Sequence, residues 1–311
     1  MAQSLNLIFC GTPRFAVPTL EKLVAGHRIH LVVTQPDRPK GRGLELVASP
    51  VKQSALKLKL PITQPDRIKT NEEFHTQLSA IKPDAIIVVG YGRIIPQWML
   101  DLPPLGNINL HASLLPKYRG AAPIQWAIAS GETVTGNTTM RLDAGLDTGD
   151  ILLQQQLPIA PDDTAETLAP RLAAMGADLM FETLAGLQAG TIHSRPQDHA
   201  KATLAPILKK EDGLIDFTRS AAEIYNRLRG FQPWPGAYTK FRGKNLQILK
   251  ANPTETVIPP AELVVQSDRL LVGCGCGTSL ELLELQLEGK KRTTARDFLQ
   301  GYRLKPGEAL G

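Results

Sequence analysis

The sequence predicts an α/β chain in two parts: an N-terminal doubly wound, mostly parallel sheet, then a smaller, mostly β domain. Three observations carry this. Short apolar runs at residues 5–10, 29–33 and 85–89 alternate with amphipathic segments, the pattern of strands covered by helices on both faces. Beyond Gly190 the alternation gives way to short strand signals separated by Gly and Pro. The chain has 311 residues, 42% of them hydrophobic and 21% charged, which suffices for two buried cores.

Each element has its own signal. Residues 5–10 read as a buried strand, and a helix follows that ends near Gly26. Either Thr12 caps it with Pro13 at its first position, or Pro18 sets a later start. After a strand at 29–34, Ser49 and Pro50 open a helix by the same cap-plus-proline logic. Thr70 and Glu73 make a capping box for the next helix, through Ala80. Further strands are read at 84–89, 108–110, 138–142 and 151–157, with a short helix at 124–130. Asp163 with Glu166 caps a long helix in which Leu168, Leu172, Met175 and Leu179 follow helical spacing. Pro170 should kink that helix or delay its start.

Residues 191–206 have little periodicity and read as a linker between domains at 1–190 and 207–311. In the second domain a short helix at 222–228 precedes strands at 237–241, 246–249, 262–265, 269–272 and 279–286, which fit a small barrel or a sandwich.

Composition narrows the function classes. No apolar run approaches the roughly 20 residues of a membrane span. The first residues enter a strand pattern without a basic n-region or cleavage site, so no export signal is read. Cys10 ends an apolar strand, and Cys274 and Cys276 sit in Gly-Cys-Gly-Cys-Gly, where two thiols fall short of the four ligands zinc takes. This usage fits a reducing, cytoplasmic setting, and no metal site is expected. Gly11-Thr-Pro13 is not a Gly-x-Gly-x-x-Gly, and no Walker A string occurs, so the scaffold implies no nucleotide cofactor. From Ile207 onward 16 Lys and Arg stand against 12 Asp and Glu, so most of the net charge of +5 lies in the second domain. A basic module beside a near-neutral one points to a polyanionic partner.

The chemistry concentrates in two strings. Residues 106–120 deliver an amide, Asn109, and an imidazole, His111, two residues apart at a strand end, hence on one face. An amide donor beside a titratable ring suits acyl transfer through a tetrahedral intermediate. The second string, residues 141–150, sets Asp143, Asp147 and Asp150 among three glycines between two strands, where open α/β sheets bind ligands. A carboxylate here can orient His111, support its protonated form, or take a proton through water. The spacing lacks the one-three-five ligands and terminal Glu of a calcium loop.

Taken together these strings resemble the methionyl-tRNA formyltransferase family nearly end to end. Phe9-Cys-Gly-Thr-Pro-Arg-Phe-Ala-Val-Pro18 is similar to its opening, and residues 107–125 to its active-site segment. Gly145-Leu-Asp-Thr-Gly-Asp150 is similar to its aspartate loop. Phe231-Gln-Pro-Trp-Pro-Gly-Ala237 and residues 289–301 are similar to stretches of its C-terminal domain.

The resemblance implies a Rossmann-like catalytic domain and an OB-like barrel. It implies formyl transfer from 10-formyltetrahydrofolate, a cosubstrate, to the α-amino group of methionyl-initiator tRNA by a monomer. Asn109, His111 and Asp147 fall on its catalytic set, and Ser113, Leu114, Leu115 and Pro116 on its folate-binding stretch. Residues 90–96 match a loop that offers backbone groups to the pteridine. Residues 35–50 match an insertion that meets the tRNA acceptor stem, with Arg38, Lys40 and Arg42 as the phosphate-contacting cations. Family loops often carry lysines where Leu44-Glu45-Leu46 stands here. Lys290, Lys291 and Arg292 are a candidate tRNA patch on the second domain.

Two other readings compete. One keeps the chemistry but uses a small amine or water as acceptor; the basic loop and basic second domain argue against it. The other is a non-catalytic RNA-binding protein, which would not need Asn109, His111 and Asp147 together.

Overall fold

A computed structural model describes residues 4–40 and 45–311; the side chains of Lys40 and Glu45 lie outside that description. The chain divides into two compact units. The first comprises Met1–Pro123, Val134–Pro158 and Ala169–Pro206, and the second Ile124–Thr133, Ile159–Leu168 and Ile207–Gly311.

In the first unit β1 (Asn6–Gly11), α1 (Val17–Val24) and β2 (Arg28–Val33) open the fold, followed by a small hairpin of β3 (Arg38–Lys40) and β4 (Glu45–Val47). Then come α2 (Pro50–Lys57), β5 (Ile62–Thr63), α3 (Glu72–Ile81), β6 (Ala85–Val89), α4 (Gln97–Leu100) and β7 (Asn107–His111). After α5 (Pro123–Ala129) the chain forms β8 (Val134–Arg141), β9 (Ile151–Pro158) and α6 (Ala165–Ala189). The sheet order is β5-β2-β1-β6-β7-β8-β9, parallel through β7 and antiparallel at β8 and β9. From β1 the chain works outward to β5 and then returns to β6 on the other side of β1. The point of reversal, between the ends of β1 and β6, is where open α/β sheets form their ligand crevice.

The apolar runs read from the sequence are these strands. Every residue of β6 and β7 is buried, and the alternate residues Ile108 and Leu110 join Leu7, Phe9, Ile87, Met180 and Leu184 in one core. On the opposite face Ile8, Cys10, Ile86 and Val88 pack with Phe74, Leu78 and Tyr91. Burial pushes the thiol of Cys10 far up, so it is a core side chain.

Helix starts differ from the sequence reading at α3 and α6, while α1 takes the later of its two readings. A short 3₁₀ turn at Arg14–Ala16 precedes α1, so Pro18 in the first turn marks the start, and the Thr12 hydroxyl instead donates to the Tyr91 carbonyl at 3.3 Å. Asn71, one residue after Thr70, caps α3 by accepting the Phe74 N–H at 2.9 Å. At α6 the Thr164 hydroxyl accepts the Thr167 N–H at 3.3 Å, while Asp163 turns back to accept the Ala160 N–H at 2.7 Å. Pro170 does not delay that helix, which begins at Ala165. Ser49 caps α2 as read, accepting the Lys52 N–H at 3.1 Å.

The second unit contains α7 (Ala221–Gly230), capped by the reciprocal Ser220–Glu223 box, and the strands β10 (Ala237–Phe241), β11 (Lys244–Thr254), β12 (Leu263–Gln266), β13 (Arg269–Gly273), β14 (Ser279–Leu287) and β15 (Thr293–Thr294). A final helix, α8 (Ala295–Gly301), escaped the sequence reading. The strand order β10-β11-β14-β13-β12 is antiparallel throughout. Residues 308–311 reach both edges: Leu263 N–H donates to the Glu308 carbonyl at 2.8 Å and Gly311 N–H to the Lys240 carbonyl at 3.0 Å. The tail thereby covers two edges that would otherwise present unpaired backbone. Arg242 bonds to Glu308 and holds its carboxyl down to about 2.

Residues from α5 and from 159–168 pack within this second unit. Trp126 meets Phe231 edge-on at 5.2 Å, and the buried Arg229 donates to the carbonyls of Asp163 at 3.0 Å and Ala160 at 3.3 Å.

Candidate active site

The site grows from the end of β7. Ile108 and Leu110 point into the core, so Asn107, Asn109 and His111 share the other face. Asn107 spends its amide on the carbonyls of Met99 and Leu100, at 2.8 and 3.1 Å, and so fixes α4. Asn109 is buried, and its carboxamide makes no hydrogen bond among the described residues.

His111 is held from both sides. Its Nε2 lies 2.8 Å from the Tyr118 carbonyl, which only accepts, so Nε2 carries a proton. Its Nδ1 lies 3.6 Å from Asp147 Oδ2. That same carboxylate oxygen accepts the Gly120 N–H at 2.8 Å. His111 and Asp147 thus meet in space, with Asp147 supplied by the loop between β8 and β9, while Asn109 shares the His111 face of β7.

Local sequence explains the loop geometry. Gly120 has φ 124, and a Cβ there would sit 2.6 Å from the Ala205 carbonyl oxygen, so the Tyr-Arg-Gly string needs its glycine. Tyr118 (φ 62) and Asp147 (φ 50) occupy left-handed backbone that disfavours residues other than Gly, Asn and Asp.

The folate-stretch residues form a braced turn. Ser113 is fully buried, and its hydroxyl donates to the Lys117 carbonyl at 2.6 Å. The Thr138 hydroxyl accepts the Leu115 N–H at 3.1 Å and donates to the Ser113 carbonyl at 2.7 Å. Gln154 donates to the Leu115 carbonyl at 2.8 Å, and the Leu115 side chain packs with Met140 and Ile151. Leu114 and Pro116 remain half-buried at the rim.

At the sheet's reversal point Gly90 (φ 56) and Gly92 (φ 75) bracket Tyr91, and Gln35 donates to the Tyr91 carbonyl at 2.8 Å. Gln35 also accepts from the exposed Arg38 at 3.0 Å. The loop base is tied down by Lys52, which meets Asp37 at 2.6 Å, and by Gln64, which donates to Asp37 at 2.8 Å. Lys40 is described by its backbone alone in β3, and Arg42 lies outside the described residues, as does Leu44. In the second unit Lys290 and Lys291 are exposed, while Arg292 pairs with Glu284.

Sequence reasoning passed over Arg119, Gln197, His199 and Thr203. The buried Arg119 donates to Gln197 Oε1 from Nε and Nη2, at 3.1 and 2.6 Å, and the Thr203 hydroxyl accepts the Tyr118 N–H at 2.9 Å. Gln197, His199 and Thr203 lie in a stretch without periodicity, and Arg119, within the 106–120 string, had no sequence signal for partners so far along the chain. Among the described residues no three His, Cys, Asp or Glu side chains are grouped to hold a metal, and no helix is long and apolar enough to cross a membrane.

Residues 5–184 match the family model for formyl transferase, and residues 207–303 match that for the formyl transferase C-terminal domain. The chain is 69% identical to methionyl-tRNA formyltransferase of Koribacter versatilis (strain Ellin345) over 306 residues, 98% of each chain. It is 63% identical to methionyl-tRNA formyltransferase of Acidobacterium capsulatum, covering 99% of this chain and 100% of the other. Among solved structures, the N-formyltransferase from Helicobacter canadensis in complex with folinic acid and dTDP-3-aminofucose superposes with TM-score 0.65 at 18% identity, over 90% of this chain and 99% of that one. At that identity the likeness concerns the fold.

Proposed function

The chain belongs to the methionyl-tRNA formyltransferase family, and on that premise we propose how its residues move a formyl group from 10-formyltetrahydrofolate to the α-amino group of methionine on initiator tRNA. The observation that carries the reading is the unbonded Asn109 carboxamide beside a ring whose Nε2 is already committed to Tyr118.

The deprotonated amine attacks the formyl carbon and negative charge develops on the formyl oxygen. Asn109 supplies a free N–H donor for that charge, and His111 supplies one from Nδ1, the nitrogen that faces Asp147. Asp147 is the anionic partner of the imidazolium and, through a water, the acceptor for the proton the amine loses. Collapse of the tetrahedral intermediate forms the amide and breaks the bond to N10 of the folate, which takes up a proton.

Ser113, Leu114, Leu115 and Pro116 offer the folate a prearranged rim, because their turn is braced to β8 and β9 before any ligand arrives. Residues 90–96, at the reversal point, flank the same crevice. Arg38, Lys40 and Arg42 contact acceptor-stem phosphates from the 35–50 loop, and Lys290 and Lys291 add to the field from the second unit. The enzyme acts in the cytoplasm and as a monomer.

Labelled formyl from 10-formyltetrahydrofolate, offered with methionyl-initiator tRNA, methionyl-elongator tRNA or no tRNA, tests the reading. Label on initiator methionine alone supports it. Folate turnover without labelled tRNA would instead mean a small amine or water as acceptor.

A further inference from the structure

We propose that Gln197 is a positioning residue for the Asp147 turn, the centre of a strap at residues 195–205 that locks the two loops of the site together. The inference rests on the formyl-transfer reading of that site.

Asp147 has φ 50, left-handed backbone that an aspartate tolerates better than most side chains, and the turn is held in place by its neighbours. Its carboxylate is tethered by Gly120, and its backbone is tethered by Gln197. The Gln197 amide is 5% exposed and donates from Nε2 to the carbonyls of Asp147 at 2.9 Å and Gly149 at 2.7 Å. The other end of the amide faces a guanidinium: Oε1 accepts from Arg119 Nε and Nη2, at 3.1 and 2.6 Å. Guanidinium groups only donate and carbonyls only accept, so the amide fits one way round. Arg119 is itself buried, with Nη2 3.1 Å from His199 Nδ1.

The backbone of the strap repeats the link. Ile151, just past the Asp147 turn, exchanges both hydrogen bonds with Arg195, at 2.8 and 2.9 Å. Arg119 donates its N–H to the Thr203 carbonyl at 2.8 Å and accepts the Ala205 N–H at 2.7 Å. One segment therefore grips the loop that presents Asp147 and the loop whose Tyr118 carbonyl and Gly120 N–H hold His111 and Asp147. Gln197 is the one side chain of the strap that bonds to the Asp147 turn among the described residues.

Gln197→Glu tests this. The variant keeps the shape and the Arg119 contact but replaces two donated bonds with a carboxylate oxygen set against two carbonyl oxygens. With the wild type first shown to transfer formyl to methionyl-initiator tRNA, kcat should fall by about 10²-fold, as for a displacement near 1 Å. The dissociation constants for 10-formyltetrahydrofolate and tRNA should stay within about twofold, a change of roughly 0.4 kcal/mol. Thr203→Val, at an exposed position, removes one strap bond and should lower kcat by a smaller factor in the same direction. A wild-type kcat in folded Gln197→Glu overturns the proposal, as does a loss explained wholly by weaker binding. If Gln197→Glu does not fold, a wild-type kcat for Thr203→Val overturns it. An inactive wild type with intact folate binding would instead overturn the underlying reading.

Discussion

Asp147 Oδ2 stands 3.6 Å from His111 Nδ1 while accepting the Gly120 N–H at 2.8 Å, so the carboxylate is fixed by backbone and left beside the ring. The fixing bond needs an oxygen; the electrostatic partnership needs the charge. Asp147→Asn separates the two, because the amide oxygen can still accept from Gly120. We expect a fold and melting temperature like the wild type, with kcat lower by about 10²-fold or more. Turnover comparable to the wild type would remove the Asp147 charge from the chemistry.

Asn109 makes no side-chain hydrogen bond among the described residues, although it is buried at the end of β7. A donor kept free in that way is available to charge that appears only during reaction. Asn109→Ala should therefore reduce kcat by about 10²–10³-fold with little change in KM for the folate. A rise in KM with kcat unchanged would assign Asn109 to ground-state binding instead.

Gly149 lies next to the Asp147 turn, and a Cβ there would fall 1.9 Å from the Arg141 carbonyl oxygen. Backbone must move to admit it. Gly149→Ala should cost about 1–3 kcal/mol in stability. It should also lower kcat in the protein that still folds. Urea unfolding and active-site titration together check both; an unchanged midpoint would show that the turn yields freely.

His27 is a structural histidine with a pH signature. Its Nδ1 accepts the Leu5 N–H at 3.3 Å, its Nε2 is buried without a partner, and its ring leans on Phe181 at 5.2 Å. Burial holds its pKa below the usual 6.5. The unfolded chain thus binds the proton more readily, so stability rises with pH through the window below 6.5 and falls as the pH is lowered through it. Replacing His27 by Asn should destabilise at neutral pH, and the gap to the wild type should narrow as the pH drops below 6.5. A gap constant with pH would contradict this.

The strands were legible because burial on both faces writes itself as uninterrupted aliphatic runs, as at β6. Asn109 and His111 were legible because alternation in a strand fixes which side chains share a face. The caps of α3 and α6 were misread by one residue, since Thr70 against Asn71 and Asp163 against Thr164 are chemically equivalent capping choices that tertiary packing decides. Arg119, Gln197 and Thr203 were not legible, because their partners lie across long sequence separations in stretches with no period. Helix α8 was missed although Thr294 caps it by accepting the Asp297 N–H at 3.1 Å, because that stretch was read only for its charge and its family likeness.

Single-turnover formyl transfer to methionyl-initiator tRNA by His111→Ala, beside the wild type and at saturating 10-formyltetrahydrofolate, tests the central claim most directly. If Asn109, His111 and Asp147 form the catalytic set, the variant binds folate and tRNA as the wild type does and transfers no formyl group on the wild-type timescale. Transfer at a near-wild-type rate would contradict that assignment and move the chemistry to other residues.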